Sequence, residues 1–254
     1  MTSFDAIGAV AIMEHGTKQS AKSFLSRHPF FISVYRKTGI HHGKYRVQKL
    51  TLLAGKRTVI TEHKESGLRM RVKVAKTYFS PRLSSERLRI ARLVKPGEKI
   101  LVLFGGVAPY ALVLAKHTFA SHITSVELNP VAHKQAQENL TLNKLNHKIT
   151  VIKADAKSWC LRTKERFDRV IMPLPLTGAT FIPAALRVCK SKATVHFYTF
   201  AHDTAFTSAA DPLVPACVRA KKQCTVQRIV RVGQSSPHVY RVSVDALIRS
   251  RKTA

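Results

Sequence analysis

The chain has 254 residues, with 43 Lys plus Arg against 14 Asp plus Glu, so its net charge is +29. Hydrophobic residues make up 45%, enough apolar surface to offset the ordering of a folded chain, which excludes disorder as the dominant state. The longest near-continuous apolar stretch, Ile100 to Ala115, is broken by Gly and Pro and falls short of the ~20 residues that span a bilayer.

Other classes are excluded in the same way. The opening MTSFDAIGAVAIMEHG lacks the basic start and small-residue cleavage site of a signal peptide. Cys160, Cys189, Cys217 and Cys224 form no CxxC pair and read as thiols in a reducing compartment, so a cytoplasmic protein is expected. The 12 His show no clustered spacing, His41-His42 being adjacent and unaccompanied, and no metal is expected. The basic excess suits a polyanionic partner, nucleic acid above all, or else a solvated basic surface with no dedicated partner. Before position 90 the only acids are Asp5, Glu14, Glu62, Glu65 and Glu86.

The stretch up to about residue 75 reads as β-rich with short elements: KYRVQKLTLLAG (44–55), KRTVITEHKESG (56–67) and LRMRVKVAKTYF (68–79). Alternating apolar and basic positions suit a small sheet that packs inward and meets phosphates outward, or an ordinary antiparallel sheet with charged outer positions. SSERLRIARLVKPGEK predicts a short helix capped by Ser84 or Ser85 and stopped by Pro96-Gly97. Strands and helices then alternate: strand 99–106, helix 109–118, strand 123–129, helix 130–144, strand 148–156, strand 167–175, a helix over ATFIPAALRVCK and strand 194–201. CTVQRIVRVG and HVYRVSVDALI close the chain as two strands, expected as an antiparallel hairpin on the sheet edge. The alternation implies βαβ units and a mostly parallel sheet covered by helices. The expected organisation is a small α+β domain over 1–75 and an α/β domain over 76–254.

In such a sheet the ligand sits beyond the carboxyl ends of the strands. The first turn is LFGGVAPY (103–110), where Gly105 and Gly106 allow close backbone approach. By itself that turn serves a dinucleotide, a nucleoside-type cofactor or close packing equally well. The second strand ends in Glu127, an acid able to take both ribose hydroxyls, or to cap the helix near Pro130. The third ends in Asp155, able to accept from an adenine amino group, or to cap the next segment. Together they favour an adenosyl cofactor, and the missing Gly-x-Gly-x-x-Gly favours S-adenosylmethionine over a dinucleotide. The fourth strand ends in Met172-Pro173-Leu174-Pro175, a stiff loop suited to clamp a target base, or simply a turn.

SFDAIGAVAI, GKYRVQKLTLLAG, TEHKESG, VAKTYFSPRLSSERLRI, VELNPVAHKQAQENLTLN, ADA, FDRVIMPLP and VHFYTF run nearly end to end. In this order they resemble the archaeal and eukaryotic tRNA (guanine-37-N1)-methyltransferase family. The resemblance implies a Rossmann-fold class I methyltransferase domain preceded by a small β-rich, RNA-facing domain. It also implies S-adenosylmethionine as cofactor, the tRNA anticodon loop as partner, and a monomer without membrane or metal.

The same resemblance assigns roles. Glu86 matches the general base that takes the N1 proton, which guanine must lose to become a nucleophile. Glu86 could equally favour its helix dipole or pair with Arg82, Arg87 and Arg89. Arg46 matches an arginine that stabilises charge on O6. Tyr78, Arg82 and Arg87 match positions near the target nucleotide, with Pro175 beside it. Phe104, Gly105, Gly106, Pro109, Glu127, Leu128, Asp155, Ala156 and Pro173 match the cofactor site. Val102, Ala108 and Pro173 depart from the family, which has an acid, a glycine and often Asn there. Two other functions remain open: an aminocarboxypropyl transferase of the wybutosine pathway on the same scaffold, and an inactive RNA- or ribosome-binding relative.

Overall fold

The computed structural model describes residues 4–39, 43, 45 and 47–250. The first strands are β1 (Phe4–Ile7), β2 (Val10–Met13), β3 (Ser33–Lys37) and β4 (Leu50–Gly55). They form a sheet in that order, with β2 and β3 parallel and joined by helix α1 (Lys18–Arg27). This helix is the α element of the region, where the sequence pattern marked out only strands. Thr17 caps it by accepting from the Ser20 amide, and Ala21, Phe24 and Leu25 lay a short apolar stripe on the sheet. The strand expected over 44–55 begins only at Leu50.

Next comes a hairpin, β5 (Thr61–Glu65) and β6 (Leu68–Val72), turned by Ser66 and Gly67, both at positive φ. The β1–β2 turn comes against it. At Gly8, φ +52°, a Cβ would lie 2.2 Å from the Glu62 carbonyl oxygen, so only glycine fits. The Ala9 amide donates to Thr61 Oγ1 at 3.1 Å. Ile7, Val10, Ile12 and Tyr35 of the small sheet share one core with Leu68, Met70 and Val72 of the hairpin and with the helices beyond it.

The large sheet has seven strands: β7 (Lys99–Leu103), β8 (His122–Glu127), β9 (Ile149–Lys153), β10 (Phe167–Met172), β11 (Cys189–His202), β12 (Lys222–Ser236) and β13 (Val239–Ser250). Their order is β12-β13-β11-β10-β7-β8-β9. Strands β11, β10, β7, β8 and β9 are parallel neighbours, and β12–β13 is the expected antiparallel hairpin at the edge. The chain runs from β7 outward to β9, then returns to β10 on the other side of β7. The topological switch point therefore lies between β7 and β10. Alternation along β7 sends Ile100 and Val102 into one core and Leu101 and Leu103 into the other. Val102 is thus a core residue at the position where the resemblance leads an acid to be expected.

Helices α2 (Ser84–Leu93), α3 (Pro109–His117), α4 (Pro130–Leu142), α5 (Ala156–Arg162), α6 (Ile182–Arg187) and α7 (Leu213–Arg219) complete the fold. Neither Ser84 nor Ser85 caps α2. Pro81 starts a 3-10 turn over Pro81–Leu83 that runs straight into it, so both serines are already helical. No helix among the described residues is long and apolar enough to cross a membrane.

Two polar devices hold these layers. The first is a row of amides on α4 that acts as a strand. Asn143 Oδ1 accepts from the Arg69 amide at 3.0 Å, and its Nδ2 donates to the Arg69 carbonyl at 2.7 Å. Asn139 does the same for Arg71 at 2.7 and 3.1 Å, and Gln135 Oε1 accepts from Lys73 at 2.9 Å. Four helical residues rise about 6.0 Å and two strand residues about 6.7 Å, so an i, i+4 row matches alternate residues of an extended edge.

The second device is a buried chain between α2 and the large sheet. Glu98 takes a bidentate pair from Arg169 at 2.7 and 2.9 Å, and Arg169 Nη1 donates to His196 Nε2 at 2.6 Å. Arginine can only donate, so His196 Nδ1 carries the proton given to Asp245 at 2.7 Å. Asp245 also accepts from Ser243 at 2.8 Å and from Arg89 at 2.6 and 3.2 Å. Burial pushes the His196 pKa down, with Arg169 and Arg89 adding to that against Asp245, in keeping with a neutral ring. For Asp245 burial pulls upward, but the hydrogen bonds from His196 and Arg89 outweigh it and hold its carboxyl well below the ordinary range.

Two outcomes follow for stability. Asn139→Ala strands buried partners at Arg71 and Val107 and should lower the unfolding free energy by about 2–4 kcal/mol. Asn143→Ala, whose partners reach water, should lose less than about 1 kcal/mol in the same urea titration. Asp245→Asn should lose about 3 kcal/mol at neutral pH. Because the folded-state pKa is depressed, that difference should be complete above the ordinary value of 3.8 and shrink as pH falls below it.

Candidate active site

The turn after β7 is tightly wound. Phe104 (φ +57°) and Ala108 (φ +68°) both take left-handed backbone, a conformation that strains any residue but glycine by about 1–2 kcal/mol. At Ala108 this accounts for the glycine usual in the family, and the turn still closes through its amide on the Gly105 carbonyl at 3.0 Å. Gly105 packs the turn on β8. Its amide donates to the Val126 carbonyl at 3.0 Å, and a Cβ there would meet Ser125 Oγ at 2.0 Å. Gly106 points its amide at Glu127 Oε2, 2.7 Å away. Pro109 then opens α3 as its first residue.

A cavity of 380 Å³ lies beyond these strand ends, at the switch point and within the roughly 300–1,000 Å³ of ligand sites. Its nucleoside-like side is formed by Phe104, Gly106, Glu127, Leu128, Asp155 and Ala156. Glu127 is not a helix cap: Asn129 takes that place, accepting from the Val131 amide at 3.0 Å and donating to the Lys76 carbonyl at 2.9 Å. Both Glu127 oxygens face the cavity base, one on Gly106 and the other on the Asn129 amide at 2.7 Å. Burial pushes the Glu127 carboxyl up, and the amides of Asn129, Gly106 and Leu128 pull it back. Asp155 caps α5 on the Ser158 amide at 2.9 Å and also lines the cavity.

The cavity is also lined by Pro173, Leu174, Pro175, Leu176 and the aromatic residues Tyr45, Tyr78, Phe181 and Phe200. The loop after β10 is closed on itself by Gly178 donating to the Leu174 carbonyl at 3.0 Å. Phe104 and Phe181 meet edge to face with centroids 4.8 Å apart.

Other expected site residues lie elsewhere. Glu86 is buried on α2 and does not line the cavity. Arg89 grips its carboxylate at 2.6 and 2.8 Å, and the Tyr198 hydroxyl donates to it, itself accepting from Tyr110 at 3.1 Å. Arg87 corrects the expectation of a nucleotide contact. It is 1% exposed, holds both oxygens of Glu65, donates to the Ser80 carbonyl at 3.2 Å and lies over the Phe79 and Tyr110 rings. Burial would raise Glu65, but His63 and Arg87 outweigh it and hold its carboxyl down. Arg82 is on the surface, paired with Asp5 of β1. Gly105 and Pro109 shape the turn without lining the cavity. Arg46 lies outside the described residues.

Arg241 was not expected. It sits on β13, paired with Phe200 in the register, lines the cavity and donates to the Tyr78 hydroxyl at 3.2 Å. Its signal in the sequence is a charged residue within the apolar run of a final strand, as Asp245 is in the same strand and Arg169 in its own. Among the described residues no group of three or more His, Cys, Asp or Glu is placed to hold a metal.

Residues 61–227 match the family model of the TRM5/TYW2 methyltransferase domain. The chain is 34% identical over 205 residues to Trm5b of Pyrococcus abyssi, a tRNA (guanine(37)-N(1))-methyltransferase, covering 78% of this chain and 60% of that protein. It is 34% identical to Taw22 of Nanoarchaeum equitans, a tRNA (guanine(37)-N(1))/4-demethylwyosine(37)-methyltransferase, covering 79% and 84%. The crystal structure of Pyrococcus abyssi Trm5b superposes with a TM-score of 0.87 at 29% identity, covering 98% of this chain and 75% of that one. The complex of aTrm5 with tRNALeu superposes at 0.84 with 30% identity, covering 96% and 71%. The chain spans about three fifths of the length of the Trm5b relatives from Pyrococcus abyssi and Methanocaldococcus jannaschii, 60% and 61%. Matched from the hairpin into β12, and sharing a third of its residues with these enzymes over most of its length, the chain belongs to the TRM5/TYW2 methyltransferase family.

Proposed function

We propose that the protein transfers a methyl group from S-adenosylmethionine to N1 of guanosine 37 in tRNA, as a cytoplasmic monomer. The observation that carries this reading is the cavity at the switch point. It puts a buried acid and a glycine turn on one wall and a stiff proline loop with aromatic residues on the other. The fit to an adenosyl group is local. Gly106 leaves the backbone open, Glu127 has a lone pair left on each oxygen for ribose hydroxyls, and Asp155 has an oxygen beyond its cap for the adenine amine. Phe104, Leu128, Ala156 and Pro173 would enclose it, with Gly105 and Pro109 fixing the turn. When bound, S-adenosylmethionine supplies an electrophilic methyl group.

The chain's own residues supply the rest. Glu86, which the resemblance makes the acceptor of the N1 proton, stands outside the cavity lining with its oxygens held by Arg89 and Tyr198, so it fills that role only once tRNA binding frees an oxygen and opens a path to the base. Tyr78 and Pro175 bound the target base, Arg82 meets the phosphates beside it, and Arg46 stabilises charge on O6. Most of the acceleration comes from holding base and methyl donor in register. The charge of +29 draws tRNA to the surface, and affinity should fall steeply with salt. The free thiols Cys160, Cys189, Cys217 and Cys224 suit a reducing compartment.

A second reading is favoured by one specific likeness. The chain is 32% identical over 166 residues to an aminocarboxypropyltransferase of Pyrococcus horikoshii. Nucleoside mass spectrometry of an unmodified tRNA transcript, incubated with protein and S-adenosylmethionine, separates the two. 1-Methylguanosine is expected, and an aminocarboxypropyl nucleoside instead would replace the reading. Glu86→Gln should cut the rate about 100-fold or more with cofactor affinity kept. Glu127→Gln leaves one acceptor oxygen where two backbone amides need one each. It should weaken cofactor binding about tenfold or more by calorimetry, with tRNA affinity unchanged.

A further inference from the structure

Among the described residues that line the cavity, Arg241 is the only cation, and the roles above leave it unused. Its guanidinium lies 5.8 Å from the centroid of Phe200 and is anchored through Nη2 on Tyr78. Its Nε is buried and has no partner among the described residues. A buried donor without an acceptor is costly, so this group is set up for a ligand that accepts.

The sheet order says which ligand. Glu127 and Asp155 end β8 and β9, on one side of the switch point, and Arg241 lies on β13, on the other. A nucleoside held on the two acids leaves Arg241 on the side of the second reactant. There its charge also reaches the Tyr110 hydroxyl of the chain that ends in Glu86. Burial pushes the Tyr110 hydroxyl up, Glu86 adds to it, and Tyr198, Arg87 and Arg241 oppose it.

We propose that Arg241 is a catalytic residue, donating to O6 of the target guanine and stabilising the negative charge left when N1 loses its proton. The proton passes to the carboxylate. Its bonding pair stays on the ring, delocalised between N1 and O6, and would become the new N–C bond as the methyl group's bond to sulfur breaks, that pair returning to sulfur and S-adenosylhomocysteine leaving. A permanent cation with planar donors stabilises that anion without exchanging a proton itself. This inference rests on the methyl-transfer reading.

The test uses the full chain, an unmodified tRNA transcript and S-adenosylmethionine, with single-turnover rates from neutral to alkaline pH. Arg241→Ala should react about 100-fold more slowly at neutral pH. The deficit should narrow as pH rises, because the base ionises without help there. Arg241→Lys, which keeps charge and stem but not the fork, should fall between and decides the matter should the alanine variant not fold. Affinities for cofactor and tRNA should stay within about threefold. Equal rates overturn the proposal, as does a loss of the same size at every pH, which would make Arg241 a prop for Tyr78. A loss that tracks weaker cofactor binding also overturns it, by giving the guanidinium to the cofactor's carboxylate. A wild type that makes no 1-methylguanosine sinks the methyl-transfer reading and this inference together, whereas an active wild type matched by Arg241→Ala sinks only this one.

Discussion

A helix that imitates a strand holds the molecule together. Strand β6 has β5 on one edge, and its other edge would expose N–H and C=O groups inside the protein, where each unpaired group costs free energy. The amides of Gln135, Asn139 and Asn143 fill that place, and Asn129 continues the line to the Lys76 carbonyl. Side-chain amides suit the task because each carries one acceptor and two donors. The alternating burial of Leu68, Met70 and Val72 then follows: the edge points at the helix while the apolar face points at the shared core.

That docking decides where the site stands. The segment leaving β6 is pinned as far as Lys76, so Tyr78 arrives over the cavity and Pro81 starts the turn into α2. Helix α2 is fixed from beneath by the polar chain through Arg89, Asp245, His196, Arg169 and Glu98. Glu86 is therefore one member of a rigid buried network rather than a lone carboxylate in a cleft. Buried charges in such a chain are each paired, which limits the desolvation that isolated ones would suffer. The same logic separates Arg87 from its neighbours: its bonds to Glu65 tie α2 to the hairpin.

Some of this was legible before any coordinates. Strand–helix alternation located the strand ends, and with them Glu127, Asp155 and the proline loop, because an acid at a parallel strand's carboxyl end has few structural uses. The antiparallel hairpin at the edge followed from two β-branched runs with no helix between them. Other features were hidden for physical reasons. Helix α1 has only Ala21, Phe24 and Leu25 to mark its buried face, too short a stripe to outweigh the Ser and Lys around it. Gln135, Asn139 and Asn143 look like a solvated polar face, since nothing local says that a strand edge will cover them. Arg87 could not be told from Arg82 or Arg89 because its partner lies 22 residues away, across a hairpin. Arg241 needed the register with β11 to bring it beside Phe200 and the cavity.

The strand-like helix also bears on the order in which the chain is made. The hydrogen bonds it forms with β6 join residues 62, 68 and 74 positions apart. A ribosome therefore delivers the hairpin well before the helix that completes it, and for that interval β6 presents an open edge to the crowded cell. Arg69 and Arg71 stand along that edge with their side chains outward. Arg69 is paired with Glu62 of β5, which leaves Arg71 as the charge that discourages a second strand from pairing there. An exposed Arg71 on that strand therefore has a use before α4 arrives that is separate from what the finished surface attracts.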